Sequence, residues 1–352
     1  MGARRRSRNT ASARLLRPRP PDLVDPARVA ATRTYSLPLS VGPVQQSLWT
    51  RWSVRRSSER RPFVKPTPFE YDDPKSLDEA LSLLAEYGED AKVLAGGQSL
   101  VPLLNFRLAR PERLIDINRI TELDYLRFEN GSLRIGALTR QSTLERSVEV
   151  AHRVRLLAQA VSFVGHPQIR NRGTVGGSVA HADPAAELPV AFAALGARFH
   201  ARSTAGVRSF TADELFKTHL TTALRPDELL VEIEVPVPVF GTRSAFVEFA
   251  RRHGDFALGG AAVVAQIGPT GTCTQIAIAL LSAGSVPLRR VEVEQWLVGR
   301  RLDTATRVEA AERCVADIHP SGDTHGGSEF RRGLVQEMVK RALLEAATTI
   351  GP

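Results

Sequence analysis

Two adjacent glycines, Gly176 and Gly177, stand between the hydroxyl residues Thr174 and Ser178, with Arg170 and Arg172 just before them and the carboxylates Asp183 and Glu187 just after. A glycine pair lets the backbone approach a ligand with no Cβ in the way, and it can aim successive N–H groups at one point. Hydroxyls beside it add donors, which a phosphate or diphosphate needs, and a nearby carboxylate suits a ribose or ribitol hydroxyl. A plain tight turn accounts for one such pair equally well. A second pair lies 80 residues upstream, where Ala95-Gly96-Gly97-Gln98-Ser99 follows the apolar Val93 and Leu94. That separation is too long for one turn but suits two loops converging on a diphosphate. Neither matches the dinucleotide fingerprint G-x-G-x-x-G or the phosphate loop G-x-x-x-x-G-K-[ST], so a nucleotide would be held by something other than a Rossmann unit or a P-loop. His181, Asp183 and Glu187 also lie close enough for a three-ligand zinc site, but that reading leaves the glycines and hydroxyls idle. The chain has no H-E-x-x-H and no nucleophile elbow.

The elements that must position these residues are legible in the pattern. Ser76 and Glu79 form a capping box ahead of Leu77, Ala80, Leu81 and Leu84, which recur at helical spacing until Gly88. Residues 92–95 predict a short strand delivering the first glycine loop, 113–117 another, and the alternation of Leu133, Ile135 and Ala137 a third. A helix around 153–163 leads into the central loop, 185–195 is helical again, and 230–237 alternates as a strand ended by Pro236 and Pro238. Beyond it, 244–251, 257–267 and 272–282 predict three antiparallel strands, the last two joined by a Pro269-Thr270-Gly271 turn, and helices follow near 291–298, 304–316 and 329–347. Strands followed by helices make a separate α+β unit, which puts a boundary near Gly241.

The chain has 352 residues, 43% hydrophobic and 24% charged, which fits a soluble globular protein of two or three domains. No run of about 18 apolar residues occurs, so no membrane span is expected. Cys273 and Cys314 are the only cysteines. Two thiols cannot hold an iron–sulfur cluster, a four-cysteine zinc site or a disulfide framework, and they imply a reducing, cytoplasmic setting. The net charge of +9 is localised: residues 1–62 hold 14 arginines against Asp22, Asp25 and Glu59, while the rest carries 33 basic and 35 acidic groups. A nucleic-acid domain carries its charge on a folded face rather than in a tail rich in Arg, Ser and Pro, so no nucleic-acid partner is expected.

Two stretches, AKVLAGGQSLVPLLNFRLARPERLIDINRI (91–120) and GHPQIRNRGTVGGSVAHADPAAELP (165–189), closely resemble the FAD-binding subunit of the molybdenum hydroxylases. The carbon monoxide dehydrogenase medium subunit is the nearest type, and the xanthine dehydrogenase flavin domain is more distant. The resemblance runs from about Lys65 to the C-terminus. It implies an α+β chain: a two-lobed FAD-binding domain of the vanillyl-alcohol-oxidase (PCMH) type over 63–240, and a smaller α+β domain over 241–352 with a three-stranded antiparallel sheet and helices. Residues 1–62 are expected to be a basic, disordered extension outside the likeness. The implied cofactor is FAD. Val93, Leu94, Ala95, Gly96, Gly97, Gln98, Ser99 and Leu100 of the first loop and Gly173, Thr174, Val175, Gly176, Gly177 and Ser178 of the second would wrap its diphosphate and adenosine. Neither loop contains lysine, so backbone N–H groups are expected to carry most of the anion's hydrogen bonds. Glu187 matches an acidic position near the ribitol chain, Leu230 and Leu229 match apolar positions lining the flavin, and Asp255 matches a carboxylate near the flavin-facing sheet. Asp183 reads as a charge on a helix N-terminus. Val247 and His219 stand where the xanthine dehydrogenase domain has a lysine and a tyrosine, which leaves the electron acceptor open. The implied partners are a large molybdenum-cofactor subunit and a small 2Fe–2S subunit, in a heterotrimer or its dimer. A stand-alone FAD oxidoreductase and a nucleotide-binding module without redox activity are the alternatives. Cytoplasmic placement is expected, with peripheral association at the inner membrane face left open.

The likeness starts at Lys65-Pro66-Thr67-Pro68, one residue after Val64, whose codon could serve as a bacterial start. The native chain is therefore expected to begin at or near Val64. Mass spectrometry of the endogenous N-terminus checks this: stoichiometric peptides from residues 4–61 would refute it and favour a transit peptide.

Overall fold

The computed structural model describes residues 65–348; the 1–62 extension and the Val64 start lie outside the described residues. The chain opens with β1 (Glu70–Asp72), α1 (Leu77–Tyr87), β2 (Ala91–Leu94), α2 (Leu100–Asn105) and β3 (Arg113–Asp116). The strands form a parallel sheet in the order β1-β3-β2. Helix α1 starts where its cap residue lies, with Ser76 Oγ accepting from Glu79 N at 3.2 Å. The reciprocal half of the capping box shifts by one residue, because Glu79 Oε2 accepts from Lys75 N at 2.9 Å. Leu77, Ala80, Leu81 and Leu84 are buried, and Gly88 stops the helix at φ +51°. Leu94 of β2 and Asp116 of β3 are register partners, so both strands deliver their C-terminal ends to one edge. That end of a parallel sheet is where open α/β sheets bind ligands.

The second lobe runs through β4 (Leu126–Glu129), β5 (Ser132–Gly136), α3 (Gln141–Arg146), α4 (Val148–Arg153), α5 (Arg155–Phe163), α6 (Pro167–Arg172), α7 (Val175–His181) and α8 (Glu187–Leu195). It continues with β6 (Arg198–Ser203), β7 (Gly206–Phe210), α9 (Ala212–Leu215), β8 (Phe216–Thr218), β9 (Thr221–Thr222) and β10 (Leu229–Pro236). Its main sheet has the order β4-β5-β10-β6-β7 and is antiparallel. Phe192 and Phe199 meet edge to face in the core at 6.0 Å. The central segment departs from the expected loop and is mostly helical. Pro167 sits at the first turn of α6, where its missing N–H costs nothing. Thr174 then caps α7.

The C-terminal unit holds β11 (Arg243–Phe249), β12 (Gly259–Ile267), β13 (Cys273–Leu281), β14 (Leu288–Arg289), α10 (Val291–Leu297), α11 (Thr304–Cys314) and α12 (Ser328–Thr348). The expected three-stranded sheet has a fourth, two-residue strand, β14, on the free edge of β13. Its length gives no periodicity to read. Ala245, Ala261, Val263, Ile278 and Leu280 face α10–α12, while Phe246, Ala262, Ala279 and Leu281 join the core of the second lobe against α5 and α8. A sheet covered on both faces explains why β12 and β13 read as nearly continuous apolar runs.

Candidate functional site

The first glycine pair forms the turn between β2 and α2. Gly97 has φ +73°, in the left-handed region, and a Cβ there would lie 3.2 Å from Val101 Cγ2. Gly96 has a different reason for lacking a side chain: its Cβ would fall 2.4 Å from Arg172 O and 2.8 Å from Gly173 Cα. The two glycine segments therefore touch, backbone on backbone, as the sequence suggested. Among the described residues, the N–H groups of Gly97, Gln98 and Ser99 engage no acceptor. Gly97 and Gln98 border a cavity of about 390 Å³, lined also by the apolar Leu94, Val101, Pro102 and Ile169 and the polar Asp116, Asn118 and Arg172.

The second segment behaves otherwise. Val175 N donates to Thr139 O at 2.9 Å, Gly176 N to Ala137 O at 2.9 Å, and Ser178 N to Thr174 O at 3.1 Å. Gly177 N donates to the Thr174 hydroxyl at 3.0 Å. Every N–H of this first helical turn is thus engaged inside the fold. Gly176 is a packing glycine, since its Cβ would sit 2.6 Å from Ala137 Cβ. The first segment thus keeps backbone donors without partners, whereas helix capping and the neighbouring strand take those of the second.

Side chains lock the two segments together. Arg170 is buried, pairs both oxygens of Glu145 at 2.8 Å, and donates to Val164 O at 2.9 Å. Arg140 donates to Arg172 O at 2.8 Å and to Asn118 Oδ1 at 2.7 Å, and Asn118 Nδ2 reaches Ala95 O at 2.7 Å. Burial opposes ionisation of Asp116, but bonds from Tyr71 and Asn118 and the charge of Arg172 outweigh it and hold the carboxyl below its ordinary value.

Of the remaining expected residues, Leu94, Ala95, Gly96, Gly97 and Gln98 line the cavity, with Val93 and Leu100 just outside its lining and Ser99 among the free donors. Gly173, Thr174, Val175 and Gly176 are buried behind the contact, with Gly177 and Ser178 half-buried. Leu229 and Leu230 belong to the cores of the two lobes. Glu187 opens α8, buried and apart from the cavity. Burial pushes its carboxyl up to about 7, with the charge of Asp183 adding to the effect. Asp183 caps a turn instead, accepting from Ala185 N at 2.8 Å. A second acid, Glu248 on β11, was not singled out from the sequence; burial, then the charge of Glu187, raises it to about 8, and its enclosed Oε2 has no hydrogen-bond partner. Ser282 N donates to Pro184 O at 3.1 Å, tying the loop before α8 to the C-terminal sheet near these acids. Asp255 pairs with Arg251 at 3.6 Å, Val247 packs against the C-terminal core, and His219 is exposed. Among the described residues, no cluster of three His, Cys, Asp or Glu side chains could hold a metal. Val101, Pro102, Asp116, Asn118, Ile169 and Arg172 were missed as cavity residues, although all six lie inside the two stretches that carry the family likeness.

Residues 67–238 match the family model for the FAD binding domain in molybdopterin dehydrogenase, and residues 244–346 match the CO dehydrogenase flavoprotein C-terminal domain. The chain belongs to the FAD-binding medium subunits of the molybdenum hydroxylases. It is 44% identical to the 6-hydroxypseudooxynicotine dehydrogenase complex subunit alpha of Paenarthrobacter nicotinovorans, over 80% of this chain and 96% of the relative. It is 40% identical to the carbon monoxide dehydrogenase medium chain of Hydrogenophaga pseudoflava, over 79% and 96%. A solved carbon monoxide dehydrogenase from that organism superposes with TM-score 0.78 at 40% identity, covering 80% of this chain and 98% of that one. Quinoline 2-oxidoreductase from Pseudomonas putida 86 superposes with TM-score 0.77 at 38% identity, over the same shares. The cofactor of this medium subunit is FAD, and the site fits it: a Cβ-free turn with unengaged donors opens on a cavity lined by both apolar and polar side chains.

Two outcomes follow from the geometry. Gly97→Val forces a β-branched side chain into the left-handed region and against Val101, so the variant should stay folded by circular dichroism yet purify with little flavin absorbance per chain. The acids Glu187 and Glu248 bind protons more tightly in the native state than in the unfolded chain. Their contribution is full below the ordinary carboxylate value and is lost as pH rises through about 7 and about 8. The urea midpoint of the flavin-free protein should therefore fall between about pH 5.5 and about pH 8.5, and fall less in Glu248→Gln.

Proposed function

We propose that this medium subunit takes electrons from a small subunit carrying two 2Fe–2S clusters and passes them to the final acceptor, while a large molybdenum subunit hydroxylates the substrate. FAD, when bound, can take up and release electrons singly or in pairs, which suits a relay from one-electron clusters. The residues of this chain bind and orient it. Gly97, Gln98 and Ser99 point N–H groups at the diphosphate, and Gly173 to Ser178 shape the backing against which the first turn rests. Glu187 and Leu230 serve the ribitol and flavin end. The observation that carries this reading is the donor-rich Gly97 turn, in a chain that spans nearly the full length of known medium subunits.

The reading extends to two modules joined near Gly241, a cytoplasmic location, and assembly as a heterotrimer or its dimer. No helix of the described residues is long and apolar enough to cross a membrane. The substrate is selected on another chain. Purification of the tagged endogenous protein should yield a yellow complex with one molybdenum-cofactor chain and one iron–sulfur chain, whose flavin bands bleach on adding the reducing substrate of that complex. Isolation as a lone monomer with full turnover would overturn it.

A further inference from the structure

The arginines around the glycine segments differ in what they have left to offer. Arg170 is buried with all its bonding directed to Glu145 and to backbone carbonyls. Arg140 is committed to Arg172 O and Asn118. Arg172 is exposed, and among the described residues its guanidinium has no carboxylate within ion-pair distance and no hydrogen-bond acceptor. Asp116, on the same cavity wall, has its carboxylate taken up by Tyr71 at 2.6 Å and Asn118 at 2.6 Å rather than by this arginine.

The backbone of Arg172 is nevertheless one of the most constrained points of the site. Its carbonyl is gripped by Arg140 and lies against Gly96. A fixed Cα with an uncommitted cation, on the same cavity as Gly97 and Gln98 whose N–H groups are unengaged, is arranged to meet an anion. The adjacent helix turn cannot take that part, because its own N–H groups are engaged within the protein.

We propose that Arg172 is the charged partner of the FAD diphosphate, so that the first segment contributes backbone donors and the second contributes this one guanidinium. Resting on the FAD reading above, this assigns the second segment a role of side-chain charge rather than of a backbone nest. The test uses the full chain stripped of flavin, with FAD affinity read from quenching of flavin fluorescence at low and at moderate salt. Arg172→Gln should weaken FAD by roughly 10- to 100-fold, as expected for loss of a charge-assisted bond, and should flatten the salt dependence. Arg172→Lys should recover most of the affinity and the salt dependence, because it keeps the charge. Thermal melting of each flavin-free variant within a few degrees of the wild type establishes that the fold survives. FAD binding by Arg172→Gln within about twofold of wild type overturns the proposal, and so does equal weakening in the Gln and Lys variants with unchanged salt dependence, which marks a packing role. If Arg172→Gln fails the melting control, Arg172→Lys against Arg172→Met at two salt concentrations decides the same point. Wild-type protein that binds no FAD at all would refute the FAD reading itself, a different result from either of these.

Discussion

The contact between Gly96 and the Arg172–Gly173 backbone is the constraint on which the site rests. It joins a turn at the end of a parallel strand in one lobe to a helix junction in the other, at a separation no Cβ would permit. Everything close by maintains that approach. Arg170 holds α6 to α3 through Glu145, Arg140 reaches across to the carbonyl of Arg172, and Gln141 N bonds Gly173 O at 2.9 Å. Asn118 anchors the other side through Ala95 O. Gly96 and Arg172, which make this contact, both line the cavity.

The same residue type does two unlike jobs here. Gly97 turns the chain through a conformation other residues resist, in a turn whose amide hydrogens have no acceptor among the described residues. Gly176 and Gly177 lie inside a helical turn, where the first clears Ala137 and the second passes its N–H to a capping hydroxyl. A packed junction and a donor nest can carry the same letters, and only the hydrogen-bond partners distinguish them.

Glu187 and Glu248 are the fold's main electrostatic departure. Neither carboxyl has an ion-pair partner among the described residues; burial makes the charged form of each unfavourable, and the charge of Asp183 adds to this at Glu187 and that of Glu187 at Glu248. Two acids kept in that condition, at the seam where the loop before α8 meets the C-terminal sheet, are a local cost to the fold.

The sequence by itself determined the elements whose signals are local. The Ser76 cap and the spacing of Leu77, Ala80, Leu81 and Leu84 set α1, alternation set β10, and the apolar runs of 257–267 and 272–282 set the strands of the C-terminal sheet. The two glycine pairs and their flanking residues pointed to FAD and to this family, because a backbone cradle for a diphosphate needs an unusual local composition. What only the tertiary structure decided is which groups are free to act. Asn118, Arg172 and Glu248 look like any polar residue along the chain, and their roles depend on which partners other segments bring to them. The central segment became helix rather than loop because Ala137 and Thr139 of the second lobe accept its N–H groups. Long-range hydrogen bonding and burial have no period in sequence, so the identity of the donors that remain unengaged could be settled only by folding.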